Sequence, residues 1–274
     1  MAGKLFVVGT PIGNLGDFSP RAKEVLSEVD FIAAEDTRVS VKLLNNFGIK
    51  KPLISYFEHN KAEKGEVIAD RILRGESCAI VTDAGMPAIS DPGEDLVRIC
   101  LDKGIRVESV PGPTALCTAL AISGMSSGRF CFEGFLSVNK PSRKEHLESL
   151  QNEKRTMIFY EAPHKLCATL EDFCKAFGEN RKIAVIKELT KIHETVLRMN
   201  LGEAVKYFNE NQPKGEYVLI VDGKPEEDTQ DFTLDSAVAL AKKLMENGTP
   251  PSLAAKEAAG VSGFKKGDIY KAMM

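Results

Sequence analysis

Side chains that could bind a small molecule are concentrated in residues 82–93, which read TDAGMPAISDPG. Asp83, Ser90 and Asp91 could hydrogen-bond an amine or a ribose. The glycines of this segment let a ligand approach the backbone closely, and its prolines partly preset the backbone. Connectors commonly take two to six residues, whereas this one takes about a dozen. We therefore predict a ligand-binding loop, rather than the alternative of a merely rigid connector.

The runs on either side of this loop predict its position in the fold. Cys78–Val81 is a short apolar run typical of a strand buried on both faces. The amphipathic run 94–101 that follows the loop is typical of a helix, and Gly104 ends it. Open α/β sheets bind their ligands at the carboxyl ends of their strands, which is where this loop is expected.

The wider pattern predicts two α/β domains and a small helical module. Short apolar strands alternate with helices up to about residue 122, as in a parallel, doubly wound sheet. Adjacent short strands in the second half predict a mixed sheet. Residues 140–145 are interpreted as a polar connector with a capping box formed by Ser142 and Glu145. The expected organisation is an N-terminal α/β domain at 1–113, a second at 114–223, a linker at 224–232 and a helix-turn-helix-like module at 233–274.

Composition excludes several classes of protein. The 274 residues are 43% hydrophobic and 27% charged, as in a globular chain of one to three domains. No apolar run approaches the ~20 residues that span a membrane, so no membrane association is expected. The cysteines and histidines lack metal-ligand spacing, which predicts no bound metal. The cysteines are spread through apolar segments as free core thiols would be, which predicts a reducing, cytoplasmic location. A net charge of −3 argues against a non-specific nucleic-acid binder, although a local basic face stays open.

The loop after the first strand imitates a dinucleotide site. Gly9, Gly13 and Gly16 follow that strand, and the acids Glu35 and Asp36 come about 20 residues later, where a ribose-binding acid would stand. The spacing is GxxxGxxG instead of GxGxxG. Pro11 also removes a backbone N–H that a pyrophosphate would need. We therefore expect neither a nicotinamide nor a flavin cofactor.

Several longer motifs resemble one known family. In chain order they are residues 8–15 (VGTPIGNL), 34–38 (AEDTR), 58–60 (EHN), 83–87 (DAGMP) with 90–93 (SDPG), 111–113 (PGP), 159–164 (FYEAPH) and 188–191 (ELTK). Together they resemble the ribosomal small-subunit RNA 2′-O-ribose methyltransferase I family, which has the tetrapyrrole-methylase fold. The resemblance covers about residues 4–222, and the helical module resembles one that many members carry.

This resemblance implies S-adenosylmethionine-dependent methylation of the ribose 2′-hydroxyl of a cytidine in 16S rRNA, at the decoding centre of the small ribosomal subunit. It also implies a cofactor bound between two α/β domains, and a homodimer. The cofactor contacts that it implies are Pro11, Asp83, Gly85, Pro87, Ser90, Asp91, Pro111, Thr114 and Tyr160. Met86 stands where the family commonly has a small hydroxyl residue, and its flexible side chain could pack on an adenine or a sulfonium.

Methylation of a ribose hydroxyl sets two requirements. The hydroxyl must be held in line with the methyl group, and its proton must be taken by a base. Acids and a histidine at strand ends are the candidate bases, and two cations could hold phosphate. We predict Glu35, Asp36 and Arg38 as catalytic residues. The predicted substrate contacts are Arg38, His59, Lys187 and Glu188.

Structural alternatives stay open for three of these residues. Asp36 could simply cap the helix that begins near Thr37, and Glu188 could pair with Lys191 or Lys187. His59 could be a structural hydrogen-bonding residue. The activity also has two alternatives, namely a methylase of the same fold acting on a small tetrapyrrole-like molecule, and a nucleic-acid-binding protein without catalysis.

Overall fold

The computed structural model describes residues 3–225 and 233–273. Contacts divide the chain into two compact units, Met1–Lys224 and Pro225–Met274. Residues 226–232, most of the predicted linker, lie outside the described residues. Within the two described ranges, no helix is both long and apolar enough to cross a bilayer.

The first sheet is parallel throughout. Its strands are β1 (Lys4–Val8), β2 (Phe31–Ala34), β3 (Leu53–Ser55), β4 (Cys78–Val81) and β5 (Arg106–Val110). The helices between them are α1 (Pro20–Glu28), α2 (Thr37–Asn46), α3 (Lys61–Leu73) and α4 (Glu94–Asp102). The spatial order of the strands is β3-β2-β4-β1-β5. All carboxyl ends therefore meet at one edge, with those of β3, β2 and β4 side by side.

Alternation of side chains along the strands explains why helices cover both faces of this sheet. Leu5 and Val7 of β1 share one core with α3 and α4, while Val8 packs on the other side with α1 and α2. Strands β2 and β4 are buried at every position. Their uniformly apolar sequences are what a central strand covered on two faces requires, and the predicted doubly wound arrangement is confirmed.

The second sheet is mixed, as predicted. Its strands are β6 (Phe130–Phe135), β7 (Thr156–Glu161), β8 (Lys182–Lys187), β9 (Thr195–Asn200) and β10 (Tyr217–Val221), in the order β6-β7-β10-β8-β9. Its accompanying helices are α5 (Ala115–Ser123), α6 (Lys140–Ser149), α7 (Leu166–Phe177) and α8 (Leu201–Glu210). Only β6 and β7 are parallel among these neighbouring pairs.

Helix α5 connects the two sheets of the first unit. It follows β5 of the first sheet after a four-residue connection, yet Leu116, Ala119 and Leu120 are buried with β7, β8 and β10 of the second sheet. The opposite face of the second sheet packs against α6, α7 and α8. Each sheet therefore has two covered faces.

The interpretation of residues 140–145 as a connector is wrong. These residues form the first turns of α6, whose N-cap is Asn139 and not Ser142. The Asn139 Oδ1 atom accepts the backbone N–H of Ser142 at 3.2 Å. The sequence does not predict this helix because the helix is largely exposed and Leu147 is its only buried residue, so its apolar residues show little helical periodicity.

The second unit contains α9 (Leu234–Glu246), α10 (Pro251–Ser262) and α11 (Lys266–Met273). Small residues dominate its core, in which Ala237, Ala241, Ala255 and Ala258 pack around Ile269. The second helix ends at Gly263, whose φ of 74° permits a left-handed cap, three residues later than the predicted break near Gly260.

Candidate functional site

A cavity of about 560 Å³ lies between the 82–93 loop and the inner face of the second sheet. The first sheet's side contributes Ile12, Ala84, Gly85, Met86, Ile89, Ser90, Asp91, Thr114 and Ala115. The second sheet's side contributes Phe135, Tyr160, Glu161, Ala162, Pro163, His164, Ile186, Leu189, Glu216, Tyr217 and Val218. Its mostly apolar wall with a few polar groups, and its volume, are typical of small-molecule sites. We call it the inner cavity.

The 82–93 loop holds a fixed and strained conformation. Ala88 and Ser90 both have a φ of 67°, a value that costs a residue with a side chain about 1–3 kcal/mol. A two-way bridge to the loop after β1 restrains its first half, since Thr10 N–H donates to the Gly85 oxygen at 2.9 Å and Gly85 N–H donates back at 3.2 Å. The Thr10 hydroxyl is also 3.2 Å from the Thr82 oxygen. Hydrogen bonds from the loop after β1 therefore restrain the conformation of the 82–93 loop.

The loops after β1 and β5 cross without room for a side chain. A Cβ atom on Gly112 would lie 2.8 Å from the Gly9 carbonyl carbon, and one on Gly9 would lie 2.6 Å from Gly112 Cα. Real Cβ atoms essentially never approach backbone this closely. The close packing of these two loops therefore requires a glycine at position 9, so the dinucleotide-like glycine pattern has a structural explanation at this position.

The carboxylates of Glu35, Asp83 and Asp91 cluster at the carboxyl ends of β2 and β4. The Asp36 N–H donates to Asp83 Oδ1 at 3.2 Å, and the Asp83 N–H lies 3.4 Å from Glu35 Oε2. Burial, followed by repulsion from Glu35 and Asp83, raises the pKa of Asp91 to about 7. Burial is also the largest cause that raises the pKa values of Glu35 and Asp83. Among the described residues, no group donates a hydrogen bond to the Asp91 carboxylate.

Asp36 and Arg38 form a separate, solvent-facing pair. Asp36 is the N-cap of α2, and its Oδ1 accepts the Arg38 backbone N–H at 2.8 Å. The Arg38 guanidinium also grips this carboxylate in a bidentate manner, with Nη2 2.6 Å from Oδ2. These hydrogen bonds lower the pKa of Asp36 to about 2. The capping alternative for Asp36 is thus present in the structure, and so low a pKa makes this carboxylate a poor proton acceptor near neutral pH.

Tyr160 fixes the wall of the inner cavity. Its hydroxyl oxygen accepts the backbone N–H of Leu116 at 3.0 Å, near the start of α5, where Thr114 provides no side-chain cap. The rings of Phe132 and Phe135 meet it edge-on at centroid distances of 5.0 and 5.6 Å. Burial raises the pKa of Tyr160 to about 12, so this residue stays a neutral hydrogen-bonding group.

The role of Phe135 was not predicted from the sequence. Strict alternation along β6 would place Phe132 and Phe135 on opposite faces of the sheet. A bulge between Phe132 and Gly134 shifts the register, so that Phe132 pairs with Ile158 and Phe135 pairs with Tyr160. Gly134, with a φ of 63°, is the sequence signal, because a glycine inside a strand often marks a bulge.

The predicted cofactor contacts divide into two groups. Gly85, Ser90, Asp91, Thr114 and Tyr160 line the inner cavity. The other four predicted residues, Pro11, Asp83, Pro87 and Pro111, do not line it.

The four residues outside the lining have other surroundings. Asp83 belongs to the carboxylate cluster, whereas Pro11 and Pro87 are buried. Pro111 is exposed in a separate groove with Thr118 and Thr190. Sequence reasoning missed the apolar lining other than Met86, because apolar residues at strand ends and in helices carry no functional signal of their own.

A second, more open cavity of about 530 Å³ adjoins the first. It is lined by Glu35, Phe57, Glu58, His59, Ala88, Ser90, Asp91, Pro92 and Glu94. We call it the outer cavity. Ser90 and Asp91 line both cavities, so the two spaces meet at these residues. The structure therefore brings together the predicted residues Glu35, His59, Ser90 and Asp91.

Lys187 and Glu188 line neither cavity. Strand β8 ends before Glu188, whose φ of 53° turns the chain. The Glu188 carboxylate accepts the Glu216 N–H at 2.9 Å and pairs with Lys191 Nζ at 3.0 Å. The alternative of an ion pair with Lys191 is thus confirmed. Since its carboxylate already has protein partners, we do not carry Glu188 forward as a substrate contact.

Within residues 3–225 and 233–273, no group of three or more His, Cys, Asp or Glu side chains is arranged to hold a metal ion.

Comparison with known proteins identifies the family. The family described as Tetrapyrrole (Corrin/Porphyrin) Methylases matches residues 4–205. A Synechocystis protein named ribosomal RNA small subunit methyltransferase I is 45% identical, over 98% of this chain and 96% of the relative. A protein of the same name from Escherichia coli O157:H7 is 44% identical, over 98% and 94% of the two chains.

Solved structures show the same fold at much lower identity. Uroporphyrin-III-C-methyltransferase from Thermus thermophilus aligns with a TM-score of 0.57 and 18% identity, over 80% of this chain and 94% of that one. Diphthine synthase aligns with a TM-score of 0.60 and 15% identity, over 80% and 89%. With this fold, and with relatives that match almost from end to end, the chain belongs to the ribosomal RNA small subunit methyltransferase I family of the tetrapyrrole methylases.

Proposed function

We propose that this protein transfers a methyl group from S-adenosylmethionine to the ribose 2′-hydroxyl of a cytidine in 16S rRNA, at the decoding centre of the small ribosomal subunit. The observation that carries the proposal is the pair of cavities that meet at Ser90 and Asp91. A transferase needs a donor site and an acceptor site in contact. The inner cavity is the donor site and the outer cavity is the acceptor site.

The inner cavity suits S-adenosylmethionine in size and chemistry. Its apolar wall, which includes Ile12, Met86 and Leu189, fits a purine ring and the alkyl chain on the sulfonium. The carboxylate of Asp91 fits a group that carries positive charge or hydroxyl donors. Thr114 and Tyr160 present hydroxyl groups at the same wall. We assign these residues to the cofactor, together with Gly85 and Ser90.

Proton removal falls to two carboxylates of the outer cavity, Glu35 and Asp91, of which Asp91 also lines the inner cavity. When bound, S-adenosylmethionine supplies an electrophilic methyl group. A ribose hydroxyl attacks it well only as its proton leaves, and a carboxylate accepts that proton best when its pKa lies near the working pH. Burial raises the pKa values of Glu35 and Asp91, and that of Asp91 reaches about 7. Glu35 or Asp91 therefore takes the proton, and Asp36 serves to orient Arg38.

Arg38 is placed to hold the RNA backbone. Its side chain is 87% exposed, although its guanidinium is aligned by Asp36. A guanidinium fixed in this way binds a phosphate with less loss of side-chain entropy than a free one. Because the chain carries a net charge of −3, bulk attraction cannot hold RNA, and local contacts of this kind must position it.

We further propose that the acceptor is 16S rRNA within the small ribosomal subunit, that the enzyme acts as a homodimer, and that it works in the cytoplasm. An assembled particle presents its RNA in one shape, which compensates for weak electrostatic attraction. Sedimentation of the purified protein alone, and in the presence of small subunits, tests the dimer and the particle separately.

Methyl transfer into unmodified small subunits tests the proposal. Tritiated S-adenosylmethionine should label the 16S rRNA, and mass spectrometry of the nucleosides should find 2′-O-methylcytidine. Arg38→Ala should reduce kcat/KM about tenfold or more, as expected for loss of a charged hydrogen bond, without changing cofactor affinity. Arg38 lines neither cavity itself, but its partner Asp36 directly follows Glu35 of the outer cavity. Arg155→Ala is the matched control, because Arg155 grips Glu153 two residues away in the same bidentate manner and neither residue is next to the lining of either cavity.

Two results would contradict the proposal. Label on a base in place of the ribose would exclude the reaction. Transfer to a tetrapyrrole but not to small subunits would favour the small-molecule alternative. Equal losses in Arg38→Ala and Arg155→Ala would remove Arg38 from the site and leave the reaction itself standing.

A further inference from the structure

We propose that the outer cavity binds the base of the target nucleotide, stacked on Phe57 and His59 and recognised through its amino group by the carboxylates opposite. This inference rests on the proposed function, because it assigns a place to the nucleotide whose ribose is methylated. It adds a specificity site, with Phe57 and Glu94 as residues that the methyl-transfer chemistry does not itself require.

The outer cavity lies at the carboxyl edge of the first sheet, next to the inner cavity. Its residues come from the carboxyl ends of β3, β2 and β4, which are adjacent in the sheet order. It meets the inner cavity at Ser90 and Asp91. A ribose held at this junction has its 2′-hydroxyl beside the donor site. The attached base then extends into the outer cavity, away from the inner one.

Phe57 and His59 form an aromatic pair in the lining of the outer cavity. Phe57 is 37% exposed and makes an edge contact with His59, with ring centroids 6.2 Å apart and an interplanar angle of 82°. The turn that carries both rings is braced by Asn60, whose Oδ1 accepts the Phe57 N–H at 2.9 Å and whose Nδ2 donates to the Ser55 oxygen at 3.1 Å. An exposed aromatic ring on a braced turn provides a prearranged stacking surface for a base taken out of the RNA.

The lining of the outer cavity is acidic. Glu35, Glu58, Asp91 and Glu94 line the outer cavity, whereas no lysine or arginine of the described residues does so. Such a lining repels phosphate and attracts hydrogen-bond donors. The amino group at N4 of cytosine donates to carboxylates, but uracil presents a carbonyl oxygen at the same place. The lining therefore favours cytosine over uracil.

The three parts of a nucleotide thus find three different partners. The exposed Arg38 takes a phosphate, the junction takes the ribose, and the outer cavity takes the base. Lys61 pairs with Glu58 at 2.7 Å and with Asp95 at 2.8 Å, so the Glu58 carboxylate already has a protein partner and is not assigned to the base. Glu94 has no hydrogen bond or ion pair among the described residues, so its carboxylate is available to a ligand.

Steady-state methylation of unmodified small subunits tests the stacking. Phe57→Ala should reduce kcat/KM by about tenfold or more, the loss that follows from removing one base–aromatic contact, and Phe57→Tyr should restore most of it. Cofactor affinity and melting temperature should stay unchanged in both variants. Phe130→Ala is the matched control, because Phe130 is 39% exposed and lines neither cavity.

Reconstituted subunits that carry cytidine or uridine at the methylated position test the recognition. The parent enzyme should prefer cytidine by about tenfold or more. Glu94→Gln should narrow this preference, because an amide can donate to the uracil oxygen, whereas Lys154→Gln outside both cavities should not.

The outcomes separate this inference from the proposed function. If the parent enzyme methylates the ribose while Phe57→Ala matches Phe130→Ala, the stacking site is refuted and the activity stands. An unchanged preference for cytidine in Glu94→Gln refutes recognition of the base by this carboxylate. If the parent enzyme transfers nothing to RNA, both proposals fail.

Discussion

Replacing Asp91 by asparagine should make the protein more stable at pH 8 than the parent. Burial raises the pKa of this carboxyl from 3.8 to about 7. A shift of this size costs the folded state up to about 4 kcal/mol once the group is ionised. Asp91 is partly exposed, and solvent screening reduces the expected cost to about 2 kcal/mol. Asparagine keeps the shape of the protonated acid without its charge.

The pH dependence gives this prediction its sign. Below about pH 4, Asp91 is protonated in both the folded and the unfolded chain, so the variant and the parent should unfold at the same temperature. As pH rises from about 4 to about 7, only the unfolded parent releases the proton, and its stability falls. Above about pH 7 the difference should be constant, near 4–8 °C in melting temperature.

Asp36→Asn is the control of opposite sign. Its pKa is lowered to about 2 by hydrogen bonds from Arg38, so its charge stabilises the fold above about pH 4. This contribution is lost as the pH falls through about 2. Asp36→Asn should therefore melt below the parent at pH 8, while Asp91→Asn melts above it. Thermal unfolding followed by circular dichroism at several pH values between 3 and 9 measures both.

Cofactor titration gives a second measurement of the same carboxyl. A cation in the inner cavity favours ionised Asp91, so the affinity of the parent for S-adenosylmethionine should rise by up to about tenfold between pH 6 and pH 8. Asp91→Asn should show weaker binding without this rise. A variant that is destabilised at pH 8, or a melting difference independent of pH, would refute the assignment of a buried, repelled carboxyl.

Two further predictions concern the framework of the site. Gly112→Ala should destabilise the protein by about 1–3 kcal/mol and weaken cofactor binding, because the added Cβ would lie 2.8 Å from the Gly9 backbone. Gly128→Ala is the control, because a Cβ at that position would have no atom within 4 Å. Equal melting temperatures for the two variants would contradict the close crossing of the loops after β1 and β5. A chain that ends at Pro225 should stay folded and bind S-adenosylmethionine in calorimetry, because residues up to Lys224 form a compact unit, whereas aggregation would place the boundary elsewhere.

Much of the site's location could be predicted from the sequence. The four residues of β4 are apolar and fully covered, and the 82–93 loop that follows is too long and too rich in glycine and proline for a simple connector. In a parallel sheet the ends of β2 and β4 share an edge, as predicted, whereas only the structure shows that these two strands are neighbours and so bring Glu35 near Asp91.

The remaining features depend on contacts between residues far apart in the chain. The Glu188 carboxylate accepts the Glu216 backbone N–H, 28 positions away, a contact that the motif containing Glu188 does not indicate. The raised pKa of Asp91 results from burial beside Glu35, 56 positions away, and the place of Phe135 depends on a bulge. Asp36 shows the limit of motif reasoning, because an acid in a family motif is also the N-cap of α2 and pairs with Arg38.

Helix α5 has a consequence for how ligands enter and leave. It follows β5 after only four residues, and it buries Leu116, Ala119 and Leu120 in the core of the second sheet, a core that also contains Ile12 from the loop after β1. Rotating one sheet away from the other would separate Ile12 from this core and expose the apolar surface that it covers, at a cost that grows with the exposed area. We expect exchange of S-adenosylmethionine and its product to proceed through the mouth of the inner cavity, where Ile89 and Phe135 are 42% and 57% exposed. Side-chain and loop motions on the nanosecond to microsecond timescale would then gate exchange, and no slow opening of domains would limit turnover.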